Sequence, residues 1–111
     1  MRRVIRTDGT FLDLPEPVSL AHICELIGAH TTDTVVLHHM GSPLHVMVVD
    51  DQGYETELID HGNGCFEQRC VRARKPINAE ATRLYHANCP PGITHQIVGD
   101  VVVVPDEDYA A

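Results

Sequence analysis

Residues 101–104 are four consecutive valines, followed by Pro105. Few features restrict a 111-residue chain more tightly. β-Branched side chains lose χ1 freedom in a helix and pack well on a pleated sheet, so the run is expected to be a strand. Apolar residues at every position, rather than every second one, point to a strand covered on both faces. It therefore belongs at the centre of a sheet, with the rest of the chain packed around it. Aromatic residues make up only 5% of the sequence and Trp is absent, so the core must rest on Val, Leu and Ile.

The segment leading into this strand predicts a helix and a hard stop. Asn78 is a suitable N-cap, and Glu80 puts negative charge in the first turn. Ala81, Leu84 and Tyr85 fall on one helical face over Ala79–Ala87. Pro90-Pro91-Gly92 ends the helix, and Gly99-Asp100 is read as either a bulge within one strand or a tight hairpin turn.

Earlier in the chain, Arg3–Thr7 and Thr10–Leu14 flank Asp8-Gly9 and predict a hairpin with a two-residue turn. Ser19 caps a short helix over Leu20–Ile27, whose Leu20, Ile23, Leu26 and Ile27 share a face and whose C′ residue is Gly28. Strands are expected at Thr34–His39, His45–Asp50 and Tyr54–Ile59, with a turn at Asp50–Gly53. A loop at Asp60–Gly64 and a short strand at Cys65–Val71 precede the basic run Arg69, Arg72, Arg74 and Lys75.

Eight Lys and Arg stand against 16 Asp and Glu, a formal net charge of −8. Repulsion from phosphates then opposes direct nucleic-acid binding, whereas basic proteins, including those that themselves bind nucleic acid, are favoured. The basic run lacks interleaved stacking aromatics and is expected to pair with carboxylates at 50–60. The start, Met-Arg-Arg-Val-Ile-Arg, has no apolar segment after it, so no signal peptide is expected. No apolar run approaches the ~20 residues of a membrane span. A cytoplasmic protein with reduced thiols at Cys24, Cys65, Cys70 and Cys89 is the expectation.

The C-terminal block, Asn78–Ala81–Thr82–Leu84–Tyr85, Pro91-Gly92, Ile97–Val101 and Pro105-Asp106, resembles small phage and plasmid proteins classed as domain of unknown function 3846. Ile23–Leu26-Ile27-Gly28 and Val48–Asp51 with Gly53 fit the same pattern. The resemblance implies a source in a mobile genetic element. It implies no activity, so no catalytic residues carry over.

Two acidic clusters, Asp50, Asp51, Glu55, Glu57 and Asp60, then Asp100, Asp106, Glu107 and Asp108, would form a phosphate-like surface if they met. Thr94, His95 and Gln96 form a candidate functional loop where the chain enters the last strand. Among the eight His and four Cys, His86-x-x-Cys89 and Cys65-x4-Cys70 could supply zinc ligands, although Cys65 and Cys70 would face opposite sides of a regular strand. A Cys89–His86 or Cys89–His95 pair suits a thiol nucleophile, but the negative end of a helix dipole works against the thiolate.

These readings converge on a single α+β domain over residues 1–111, with a mixed or antiparallel sheet of about five strands and two helices on one face. The expected function is a non-enzymatic binding protein with no cofactor and no catalytic residue. It would act through its acidic surface on a basic or nucleic-acid-binding host protein, in the manner of an anti-CRISPR inhibitor. The alternative is a metal or thiol enzyme on His86, Cys89 and His95. A homodimer through an exposed edge of the valine strand is a third arrangement.

Overall fold

The computed structural model describes residues 2–110. Its first hairpin joins β1 (Arg3–Ile5) to β2 (Phe11–Asp13). The connection spans residues 6–10 and is wider than the expected two-residue turn, because Ile5 pairs with Phe11. The cause is Asp8, whose Oδ1 accepts from both the backbone N–H and the hydroxyl of Thr10, at 2.9 and 2.6 Å. Those bonds also hold the Asp8 carboxyl below its ordinary pKa.

Ser19 opens α1 (Leu20–Ile27), its Oγ accepting from His22 N–H at 3.1 Å. Gly28 closes it in the left-handed region at φ 66°, as the sequence predicts. Next come β3 (Thr32–Leu37), β4 (His45–Asp50), β5 (Tyr54–Gly62), β6 (Cys65–Ala73), α2 (Ala79–Ala87), β7 (Val101–Pro105) and α3 (Asp106–Ala110). No helix among the described residues is long and apolar enough to cross a membrane.

The main sheet has the order β2-β1-β7-β4-β3, and every pairing in it is antiparallel. The valine strand is its middle member, and all five residues of β7 are buried. Because β7 is central, its edges are occupied by β1 and β4, so it cannot offer an edge to a second copy. The exposed valine-strand edge that the expected homodimer would use is therefore not present among the described residues.

Alternation along β7 divides the core in two. Val102 and Val104 join Val4, Val46 and Val48 beneath Ile23 and Ile27 of α1. Val101 and Val103 join Ile5, Leu37, Met47 and Ile97 beneath Ala81 of α2, with Leu84 and Tyr85 at the margin. The two helices thus cover opposite faces, which corrects the expectation of both on one face. The physical reason was present in the valine run: a strand apolar on both sides needs cover on both sides.

Asn78 anchors α2. Its Oδ1 accepts from Ala81 N–H at 3.0 Å, while Nδ2 donates to the carbonyls of Ile5 and Gly99 at 3.0 and 2.9 Å. At the other end, Asn88 Oδ1 accepts from His39 N–H at 2.7 Å. The Thr82 hydroxyl accepts from Ile97 N–H at 2.9 Å, fixing the return segment against the helix. Val98 forms an isolated bridge with Ile77, and Gly99 at φ 75° then turns the chain into β7. Gly99-Asp100 is neither a bulge within one strand nor a hairpin turn: it joins the isolated bridge at Val98 to the start of β7 at Val101.

β5 and β6 stand apart as a two-stranded ribbon. Its tip is Asn63-Gly64, both at positive φ (54° and 77°), so the strands run longer than the sequence reading gave them. Every residue of β6 is exposed, and the molecule measures 50 × 29 × 28 Å. We call this ribbon the arm.

Candidate functional site

The arm leaves the body through Gly53. A Cβ there would sit 2.9 Å from Val98 Cγ2 and 3.3 Å from the Asp50 carbonyl, so only glycine lets the turn lie this close to the return segment. Gly53 O also accepts from Arg74 N–H at 2.9 Å, closing the base of the arm. Between arm, turn and return segment lies a groove of about 310 Å³. Asp33, Val49, Asp50 and Asp51 line it from the sheet, Tyr54, Thr56, Gln68 and Cys70 from the arm, and His95–Val98 from the return segment.

His95 is held from three directions. Its ring centroid lies 5.2 Å from that of Tyr54 and 6.2 Å from that of Tyr85, the latter edge-on. His86 Nε2 donates to the His95 carbonyl at 2.7 Å. The Tyr54 hydroxyl donates to the Gln96 carbonyl at 2.6 Å. Burial, with Cys70 nearby, pushes the Tyr54 hydroxyl above its ordinary value of 10, so it remains a donor at neutral pH. Burial and the adjacent Cys89 do the same for Tyr85. Of the candidate loop, His95 and Gln96 line the groove, and Thr94 lies outside it.

The acidic residues divide. Asp50 and Asp51 line the groove, but Asp50 is paired: its Oδ2 lies 2.6 Å from Lys75 Nζ and its side chain is 5% exposed. Lys75 also donates to the carbonyls of Ile27 and Gly28, tying the end of α1 to the end of β4. Glu55 and Glu57 stand opposite Arg72 and Arg69 in the arm. Within the basic run, Lys75 pairs with Asp50 as expected, while Arg69 faces Glu57 in register but forms its ion pair with Glu67. Asp60 accepts from Gly62 N–H near the tip.

The second cluster is split by β7. Asp100 precedes the strand and accepts from Thr7 N–H at 3.0 Å. Asp106, Glu107 and Asp108 follow it, roughly 20 Å away at the rise of an extended chain. Asp108 is paired with Arg2 at 2.6 Å, its side chain 8% exposed. Continuing the β4–β7 register puts Asp50 and Asp100 at one end of the sheet and Asp106–Asp108 at the other. The two clusters do not form one continuous surface.

The suggested zinc ligands are not assembled either. Cys65 pairs with Gly62 at the tip of the arm, Cys70 lines the groove near its root, and Cys89 follows α2 beside Tyr85. Among the described residues, no three His, Cys, Asp or Glu side chains are placed to share a metal ion. His86 spends Nε2 on a backbone carbonyl.

Asp33, Tyr54 and Gln68 belong to the groove and were not singled out from the sequence. Tyr54 carried a usable signal, being a tyrosine directly after a tight turn in a chain poor in aromatics. Asp33 carried none, since only the pairing of Asp33 with Val49 brings it to the site.

No family model, curated protein or solved structure matches the chain. The resemblance to domain of unknown function 3846 therefore rests on the quoted residues alone.

Proposed function

We propose that the protein is a non-enzymatic binding protein that takes a basic segment of a protein partner into the groove at the root of its arm. One observation carries this reading: Asp33 and Asp51 rim a groove whose wall is the Tyr54–His95 ring pair. Carboxylates attract a Lys or Arg side chain, and an aromatic face beside them accepts its cation. The net charge of −8 would steer such a partner from a distance.

The host-directed form of this proposal draws on the resemblance to mobile-element proteins. An acidic groove can compete with a phosphate backbone for a basic surface, so the partner is a host nucleic-acid-handling or defence protein, as for an anti-CRISPR inhibitor. Such a partner is met in the cytoplasm, where the four thiols stay reduced.

The test is retention of a host protein from nuclease-treated lysate. Asp33→Lys with Asp51→Lys is expected to abolish a salt-sensitive partner held by the wild type. Asp106→Lys with Glu107→Lys, at the far end of the sheet, is expected to keep it. Loss in the second variant with retention in the first would move the site away from the groove.

A further inference from the structure

A two-stranded ribbon is marginal on its own, and both of its outer edges carry backbone groups without a strand partner. Here the ribbon also leaves Leu58 68%, Phe66 60% and Val71 51% exposed. Within the described residues β6 pairs with β5 and with no other strand. Its ladder is regular where Thr56–Asp60 faces Phe66–Cys70, and irregular beyond either end of that stretch. Gln68 is the middle of the regular stretch. On either side of it stand Glu67 and Arg69, opposite in charge and one residue away. Glu67 is ionised, its carboxyl held below the ordinary range by His61 and Arg69.

We propose that β6 pairs antiparallel with β6 of a second copy of this chain, about a two-fold axis at Gln68. In that register Glu67 stands opposite the partner's Arg69, and Arg69 opposite the partner's Glu67. Phe66 stands opposite the partner's Cys70, with the reverse pair across the axis. Arg69 is then flanked by Glu57 of its own β5 and by Glu67 of the partner subunit, an alternating row of charge on one face of a four-stranded sheet. Leu58 and Phe66 share the other face, where Phe66 lies beside the partner's Cys70 and Leu58 remains on the outer strand across from Gln68.

Charge fixes the register. An axis at Arg69 would set Arg69 against the partner's Arg69, and an axis at Glu67 would set two carboxylates together; of all axes along β6, the one at Gln68 alone sets Glu67 opposite the partner's Arg69. Two-fold pairing of one edge is isologous and closes, so it yields a dimer with no further free β6 edge. The fully exposed β6 and its unpaired edge are thereby accounted for together. The inference stands whether or not the groove takes a protein partner.

Sedimentation of the full chain at rising concentration tests it without any ligand. The wild type is expected to pass from the chain mass of 12.3 kDa to twice that value. Glu67→Lys alone sets an ammonium group against the partner's Arg69 at two symmetry-related places. Arg69→Glu alone sets two carboxylates together in the same way. Each variant is expected to self-associate about tenfold more weakly, or worse. Mixing the two variants restores opposite charges at both places, so the mixture is expected to form a heterodimer that neither forms alone. A wild type that stays at the single-chain mass throughout overturns the proposal. So does a dimer that both single variants retain, or a mixture no more associated than its parts. All these substitutions lie at exposed positions on the arm and leave both hydrophobic clusters untouched.

Discussion

Asn78 shows how much a single polar side chain can organise. It is fully buried, caps α2 with its oxygen, and uses its amide nitrogen to bind the carbonyl of Ile5 at the end of β1 and that of Gly99 before β7. The sequence identified the cap, because an Asn before a helical pattern is a local signal. It could not identify the two donated bonds, because their acceptors lie 73 and 21 residues away. Asn78→Ala removes a cap, which costs about 1 kcal/mol, and strands two buried carbonyls at about 1 kcal/mol or more each. Urea unfolding is expected to show a loss of about 3 kcal/mol. Asn78→Asp separates the two roles. It keeps the cap acceptor but turns a carboxylate toward two carbonyls, which raises the folded-state pKa of the new group. The protonated form is then favoured in the folded state, so this variant should recover stability relative to Asn78→Ala as pH falls.

Elements followed the sequence where their signals were local and departed from it where the signals were long-range. α1 with its Ser19 cap and Gly28 stop, the β4 segment His45–Asp50 and the α2 span Ala79–Ala87 all formed as periodicity and capping indicated. The first hairpin opened wider than Asp8-Gly9 suggested, because an Asp side chain can satisfy backbone groups that a tighter turn would pair. The arm was visible as two strands, but composition could not say that they would leave the main sheet. What sets their departure is Gly53 against Val98, a contact between residues far apart in sequence. Gly53→Ala places a methyl 2.9 Å from Val98 Cγ2, so the turn or the return segment must shift. A loss of about 1–3 kcal/mol is expected, the usual range for overpacking. Val98→Ala in the same chain opens that space. The double variant is therefore expected to lie closer to the Val98→Ala single variant than additivity allows, as a double-mutant cycle in thermal or urea unfolding would show. An additive cycle would mean that the turn moves away freely and that Gly53 does not position the arm.

At the scale of the whole molecule, one sheet separates two cores that share a backbone and almost nothing else. Val102 and Val103 are adjacent in sequence, fully buried, and belong to different clusters, one beneath α1 and one beneath α2. The valine run announced this two-sided burial. Assigning both helices to one face set it aside, because no short-range pattern says which side of a sheet a helix will take. The same limit applied to the groove, where His95 and Gln96 were found from the sequence and Asp33 was not. The two-core arrangement makes a quantitative demand. Val102→Ala and Val103→Ala should each cost about 2 kcal/mol, the transfer and cavity cost of two methyl groups. Their side chains point to opposite faces and share no partner in either cluster, so the double variant should lose the sum to within about 0.5 kcal/mol. A pair within one cluster, Val46→Ala with Val102→Ala, touches the same α1 face and should depart from additivity by more than that. Both double variants should still unfold in one transition, because β7 is common to the two cores and neither can open without it. If the Val102/Val103 pair couples as strongly as the Val46/Val102 pair, strain is passing through the sheet, and the two faces act as one core.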